Sequence, residues 1–317
     1  MDLIQGREAE RKSTSNNHTK IDRIENESIS ALLSHASLVL VCASIAIILL
    51  VNLLERFALR KLWRGVWTEL ELHGEERRRR SFTYHHVAAL VMFLLLCFAL
   101  YPVYLFLISP ESGLSTPIME HNSKIVTAGD VLLTLSQIYC AYYIFELGFR
   151  TQFMSIIGLA HHVGLLLITQ TALVISVNMD KDATIEYYMC IMWGTFDLIA
   201  EFPIHTCMIY WRVRRNSHRT LMYIAYSCYA WQASLAAAET ALTIYLLNAS
   251  WDRWEVKWQV ITPLIFALWI STQIYGATTL LRMGHTERRH CTPIAEERTE
   301  EGLPGTITGR EPKSEEP

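Results

Sequence analysis

Hydrophobic residues in this chain come in long unbroken runs parted by short polar stretches, not in the alternating or helical stripes of a soluble core. The runs cover residues 28–54, 83–109, 125–149, 153–177, 185–210, 219–247 and 258–281. A helix needs about 20 residues to cross roughly 30 Å of hydrocarbon, and each run is long enough. Helices are expected throughout, because only a helix closes the backbone hydrogen bonds of a single segment inside lipid. The pattern therefore predicts an all-α, polytopic membrane protein with seven transmembrane helices.

Composition alone leaves the class open: 51% hydrophobic and 19% charged residues would also suit a large soluble domain. Distribution decides, since the charges gather at the two termini and in a few loops. Of 28 basic residues, 19 fall in the set of segments that holds residues 55–82, 150–152, 211–219 and the tail after 281. The positive-inside rule makes that set cytosolic. The amino terminus is then lumenal, where the sequons at Asn17 and Asn26 are candidate glycosylation sites. The first run lacks the short apolar core and small-residue cleavage site of a signal peptide, so it reads as a retained anchor. The seven cysteines show no CxxC pair and no zinc spacing, and no metal site or cofactor is expected.

The chain divides into five segments: a lumenal tail (1–28), a first anchor (29–54), a cytosolic amphipathic and basic loop (55–80), a helical core (81–284) and a disordered cytosolic tail (285–317). In the loop, Leu59, Leu62, Trp63, Val66, Trp67 and Leu70 among charges suit an interfacial helix. Arg77–Arg80 read first as a topology signal and second as a contact for anionic lipid. Pro203 and Pro263 each leave a carbonyl unpaired one turn back and mark kinks.

The candidate chemistry lies inside the runs, where a charge is costly and normally paired or functional. Asp197, Glu201 and His205 follow an i, i+4, i+8 spacing and form one stripe of a helix. His161 and His162 enter from the same side to roughly 12–14 Å, the depth at which Glu201 lies at 1.5 Å per residue. An imidazole beside a carboxylate in a dry site is the equipment of general-base or nucleophilic catalysis. His161, His162, Asp197 and Glu201 are the candidate catalytic residues, with Glu146, Trp193 and His205 as candidate substrate contacts. Asp130 and Glu239 are expected to be structural.

Three segments, Tyr143-Ile144-Phe145-Glu146-Leu147, His161-His162-Val163 and Asp197-Leu198-Ile199-Ala200-Glu201, resemble the TLC family of ceramide synthases and related membrane proteins. The last segment matches the second half of the family's HDxxDxxLE element. The chain departs from it at Trp193 and Gly194, which stand in the places of its His-Asp, and at Phe196. The resemblance covers about two thirds of the chain and implies a six-helix core with the first span as an extra helix. It implies an endoplasmic reticulum protein of sphingolipid or acyl-lipid homeostasis, with acyl-CoA-dependent N-acyltransfer as its activity. Acyl-CoA would then be a co-substrate, and membrane lipids, long-chain acyl-CoA and a sphingoid base the partners. Nucleic acid is not expected, and a homodimer is compatible with the pattern. A seven-span receptor or sensor shares the topology and stays open as the alternative.

Overall fold

The computed structural model describes residues 27–72, 76–122, 124–150, 154–178, 184–254 and 256–291, and the two candidate glycosylation sites lie outside them. These residues are almost entirely helical. Helix α1 (Ala36–Leu53) continues through a π-turn (Leu54–Ala58) and one more α-turn (Leu59–Leu62). It is followed by α2 (Arg64–Leu72), α3 (Glu76–Val103), a hairpin of β1 (Pro117–His121) and β2 (Lys124–Thr127), then α4 (Ala128–Arg150) and α5 (Ile156–Asn178). The chain closes with α6 (Thr184–Val213), α7 (His218–Ser250) and α8 (Val256–Cys291). Five stretches are long and apolar enough to cross a membrane: Leu33–Leu62, Glu76–Ile108, Ala128–Arg150, Ile156–Val174 and Gln259–Cys291. Helices α6 and α7, of 30 and 33 residues, are long enough but do not meet the same compositional standard.

Packing contacts run from α3 to α4, α5, α8, α7 and α6 and back to α3, which closes a ring of helices; α4 and α5 also touch α6 across it. Helix α1 lies outside the ring against α4. Its outer face leaves Leu38, Val41, Ile45, Ile48 and Leu49 more than half exposed, and Phe98, Leu100, Leu167 and Leu264 on other helices are equally bare. Apolar surface on this scale, recurring around the bundle, is what contact with lipid in place of water produces.

The boundaries depart from the sequence reading in four places, each for a local reason. Residues 28–35 are not part of the first helix. Ile29 is fully buried, and Ser30 Oγ donates to Asp130 Oδ1 at 2.6 Å, so this segment is tied down over the start of α4. Gly129 permits the approach, since a Cβ there would collide with the Ile29 carbonyl oxygen. The hairpin before α4 departs from the apolar-run pattern, and it turns at Asn122, whose φ of 48° lies in the left-handed region that Asn tolerates. Arg77–Arg80, read as loop, form the first turns of α3, consistent with the high helix propensity of arginine. At the far end α8 runs on to Cys291, past the point where a disordered tail is expected to begin.

The amphipathic loop becomes α2, which folds back on the start of α3. Leu59, Trp67 and Phe82 form its small buried core, and Thr83 Oγ1 donates to Glu55 Oε1 at 2.9 Å across the joint. Helix α2 thus sits at the end of the bundle where the arginines at 77–80 and 212–215 gather, its basic end.

Candidate functional site

One stripe of α4 supplies Tyr139, Tyr143, Glu146 and Arg150, at intervals of four, three and four residues that keep them on one helix face. It faces His161 and His162, five and six residues into α5, and the Asp197, Glu201, His205 stripe of α6. All of these except Tyr139 and Tyr143, which sit behind Asp197, line a cavity of about 340 Å³. All six helices of the ring line it, α3 through Tyr84, α7 through Gln232 and α8 through Thr272 and Gln273. The expected convergence of His161, His162, Asp197 and Glu201 is therefore present in the folded chain.

The acids and histidines sort into three pairs. Asp197 is buried and accepts a hydrogen bond from Tyr139 Oη at 2.5 Å and another from Tyr143 Oη. His161 Nε2 lies 3.8 Å from the same carboxylate, and its ring packs edge-on against Trp269 with centroids 4.3 Å apart. The second pair is His162 with Glu146, Nε2 to Oε1 at 3.5 Å. Glu146 is in turn held by Arg150 at 3.1 Å, and the Arg150 guanidinium lies 4.0 Å over the Tyr84 ring. The third pair is His205 with Glu201 on the same helix, Nε2 to Oε2 at 3.7 Å, while His205 Nδ1 and His85 Nδ1 are hydrogen-bonded at 3.0 Å, one ring donating and the other accepting. Glu146, expected among the substrate contacts, is thus the acid nearest His162, and Glu201 belongs to His205.

Among the described residues, four that line the cavity each carry a buried polar atom without a hydrogen-bond partner: His162 Nδ1, Glu146 Oε2, His205 Nε2 and Gln232 Oε1. Buried polar groups in folded proteins are nearly always satisfied, so a cluster of orphans around one cavity is the signature of a place where a polar ligand or water belongs. With the His162 proton on Nε2 toward Glu146, Nδ1 is a free acceptor. It can take a proton from a bound nucleophile, with Glu146 stabilising the imidazolium and Arg150 fixing Glu146.

Trp193 is not brought to this cavity. It sits one turn deeper on α6, donating Nε1–H to Thr243 Oγ1 at 2.9 Å and lining a separate apolar pocket of about 210 Å³ with Leu167, Met189, Trp254 and Ile265. Its ring lies 6.0 Å from that of Trp269, which packs in turn against His161. Gly194 faces Tyr139, where a Cβ would make ordinary contact at 3.5 Å. Asp130 is structural as expected: it accepts from Ser30 and from Thr127 N at 3.0 Å at the start of α4. Glu239 is buried on α7 and does not line the cavity.

Sequence reasoning missed Tyr84, Tyr139, Arg150, Gln232, Thr272 and Gln273. The i, i+4, i+7, i+11 run from Tyr139 to Arg150 is a readable signal, masked because Arg150 by itself reads only as a loop charge. The α7 and α8 contributors are neutral amides and hydroxyls on apolar helices and carry none. Comparison with family models, curated proteins and solved structures found no match for this chain.

Proposed function

We propose that the chain is a seven-span, TLC-like membrane protein that acts on lipids by transferring an acyl group from a thioester to a long-chain amine. The observation that carries this reading is the single cavity in which two histidines of α5 and two acids of α6 converge, surrounded by unsatisfied polar atoms. Five spans follow from length and apolarity, and the packing of α6 and α7, each long enough to cross, into the same ring supports reading them as two more. A closed ring with one helix outside it supports the six-plus-one arrangement of the resemblance. The basic end is then cytosolic and the amino terminus lumenal, in the endoplasmic reticulum, which puts the cavity where acyl-CoA is found.

The step follows from the pairs. His162 Nδ1 removes a proton as the amine nitrogen of a sphingoid base attacks the thioester carbonyl, the C–S bond breaks, and the proton passes to the departing thiolate. The products are an amide and a free thiol. His161, held by Asp197 and Trp269, forms the adjoining wall. Lipid binding without turnover is the second reading, favoured by Trp193 and Gly194 at positions where the synthases carry His-Asp.

The test is acyl transfer by the purified chain in nanodiscs with long-chain acyl-CoA and sphinganine, read as dihydroceramide together with released thiol. His162→Ala should lower the rate by about 10²–10⁴-fold, the usual contribution of a general base. Product from wild type and His162→Ala alike would remove His162 from the chemistry. No product at any chain length, with lipid still retained, would decide for the second reading.

A further inference from the structure

At the basic end a second and larger cavity, about 640 Å³, lies outside the ring of paired histidines and acids. Its walls come from regions far apart in sequence: Val66, Glu69 and Leu70 of α2, Arg78 of α3, the end of α6 from Met208, the link 214–217 and Met283 of α8. From sequence the arginines at 77–80 read first as a topology signal and second as a contact for anionic lipid, and those at 212–215 count only toward the cytosolic basic set. Folding brings Arg78 of the first group and all three arginines of the second to one opening.

Among the described residues, Arg78, Arg212, Arg214 and Arg215 line the cavity together with Glu69, and Arg214 and Arg215 are the exposed members of the set. Arginine forks match the paired oxygens of a phosphate, and a phosphomonoester offers them up to two negative charges. The link also leads straight into the first turn of α7, which no side chain caps, so helix amides with their positive end are presented beside the arginines. A zwitterionic headgroup would instead carry a quaternary ammonium into a ring of guanidinium groups.

The walls also favour a lipid as the carrier of that phosphate. Val66, Leu70, Trp211 and Met283 give the lining a large apolar share, and Phe57 and Leu62 in the turns before α2 and Leu72 at its end are exposed. An amphipathic segment that bares such side chains lies in the membrane interface. The cavity therefore opens at headgroup level, where a lipid phosphate enters without leaving the bilayer. We propose that this cavity binds the phosphate of an anionic phospholipid, with a terminal phosphomonoester as the preferred headgroup. The site is independent of acyl transfer and stands or falls apart from it.

The experiment uses the full-length chain in phosphatidylcholine nanodiscs doped with phosphatidic acid, released into native mass spectrometry to count retained lipids. Wild type should retain phosphatidic acid in preference to phosphatidylcholine. Arg214 and Arg215 are exposed, so Arg214→Gln with Arg215→Gln should leave the thermal unfolding midpoint unchanged while lowering that preference by about tenfold or more, the effect expected of two basic groups near an anionic headgroup. Lysine at both positions should keep part of it. Equal retention of the two lipids, or an undiminished preference in the double Gln variant, would overturn the proposal. In a second arm, inorganic phosphate and adenosine 3′,5′-bisphosphate are offered to the chain in detergent. Binding of either as tight as that of short-chain phosphatidic acid, lost in the same variant, would assign the arginines to a soluble phosphate and reject the lipid.

Discussion

Asp197 receives a hydrogen bond from each of two phenols and faces His161, so it is the fixed point of the cavity and not a free base. Hydrogen bonds to a charged acceptor contribute about 1.5–3 kcal/mol, and leaving such a group short of donors inside the bundle costs more than losing a neutral contact. Tyr143→Phe should therefore destabilise the chain by about 1.5–3 kcal/mol, read as a lowered midpoint of unfolding in nanodiscs. The effect on acyl transfer should be smaller than that of His162→Ala, because Tyr139 still holds the carboxylate. If Tyr143→Phe left stability unchanged but abolished turnover, Tyr143 would be acting on the substrate and the anchoring role given to Asp197 would be wrong. Glu146 is the other kind of acid: one oxygen is held by Arg150 and approached by His162, and the other is buried without a hydrogen bond in the wall of side chains around the cavity.

Helices α6 and α3 each carry a proline that removes a backbone donor, and each loss is answered locally. Pro203 has no N–H to give the carbonyl of Ile199, and the Trp231 indole of α7 donates to that carbonyl at 3.0 Å. Trp231→Phe should cost about 1 kcal/mol, the net value of a neutral hydrogen bond. In a Pro203→Ala background, where the helix supplies its own donor, the same change should cost almost nothing. Additive effects in that cycle would show the contact to be incidental. In α3, Pro102 sits just before a π-turn (Tyr104–Ile108), a wide turn that absorbs a lost hydrogen bond. The long helices were legible as apolar runs, because lipid leaves a spanning segment few alternatives. Legible too was the shared face of Asp197, Glu201 and His205, since i, i+4 spacing survives any packing. What stayed hidden depends on tertiary partners: the hairpin 117–127, the tether of Ser30 to Asp130, and the placing of Trp193 outside the cavity, where its indole needed Thr243 of another helix.

As a whole, the molecule gathers its paired acids and histidines inside the ring, set in a buried apolar core, and exposes further large apolar side chains on its flanks, where a water-soluble bundle carries polar ones. The ring brings α3 through α8 to one cavity at one end, and the arginines gather at that same end. Both cavities thus depend on a single orientation in the membrane, and the cysteines can report it. Cys42 and Cys97 are exposed on the apolar flanks of α1 and α3, while Cys291 ends α8 at the basic end, beyond Arg288 and Arg289. In sealed microsomes a membrane-impermeant maleimide added outside should label Cys291 and leave Cys42 and Cys97 unreacted, since lipid shields them from a charged reagent. Labelling of Cys291 only after the vesicles are opened would place the basic end in the lumen. The cavity of His161 and His162 would then face away from cytosolic acyl-CoA, and the proposed reaction would lose its substrate even with every distance in the site unchanged.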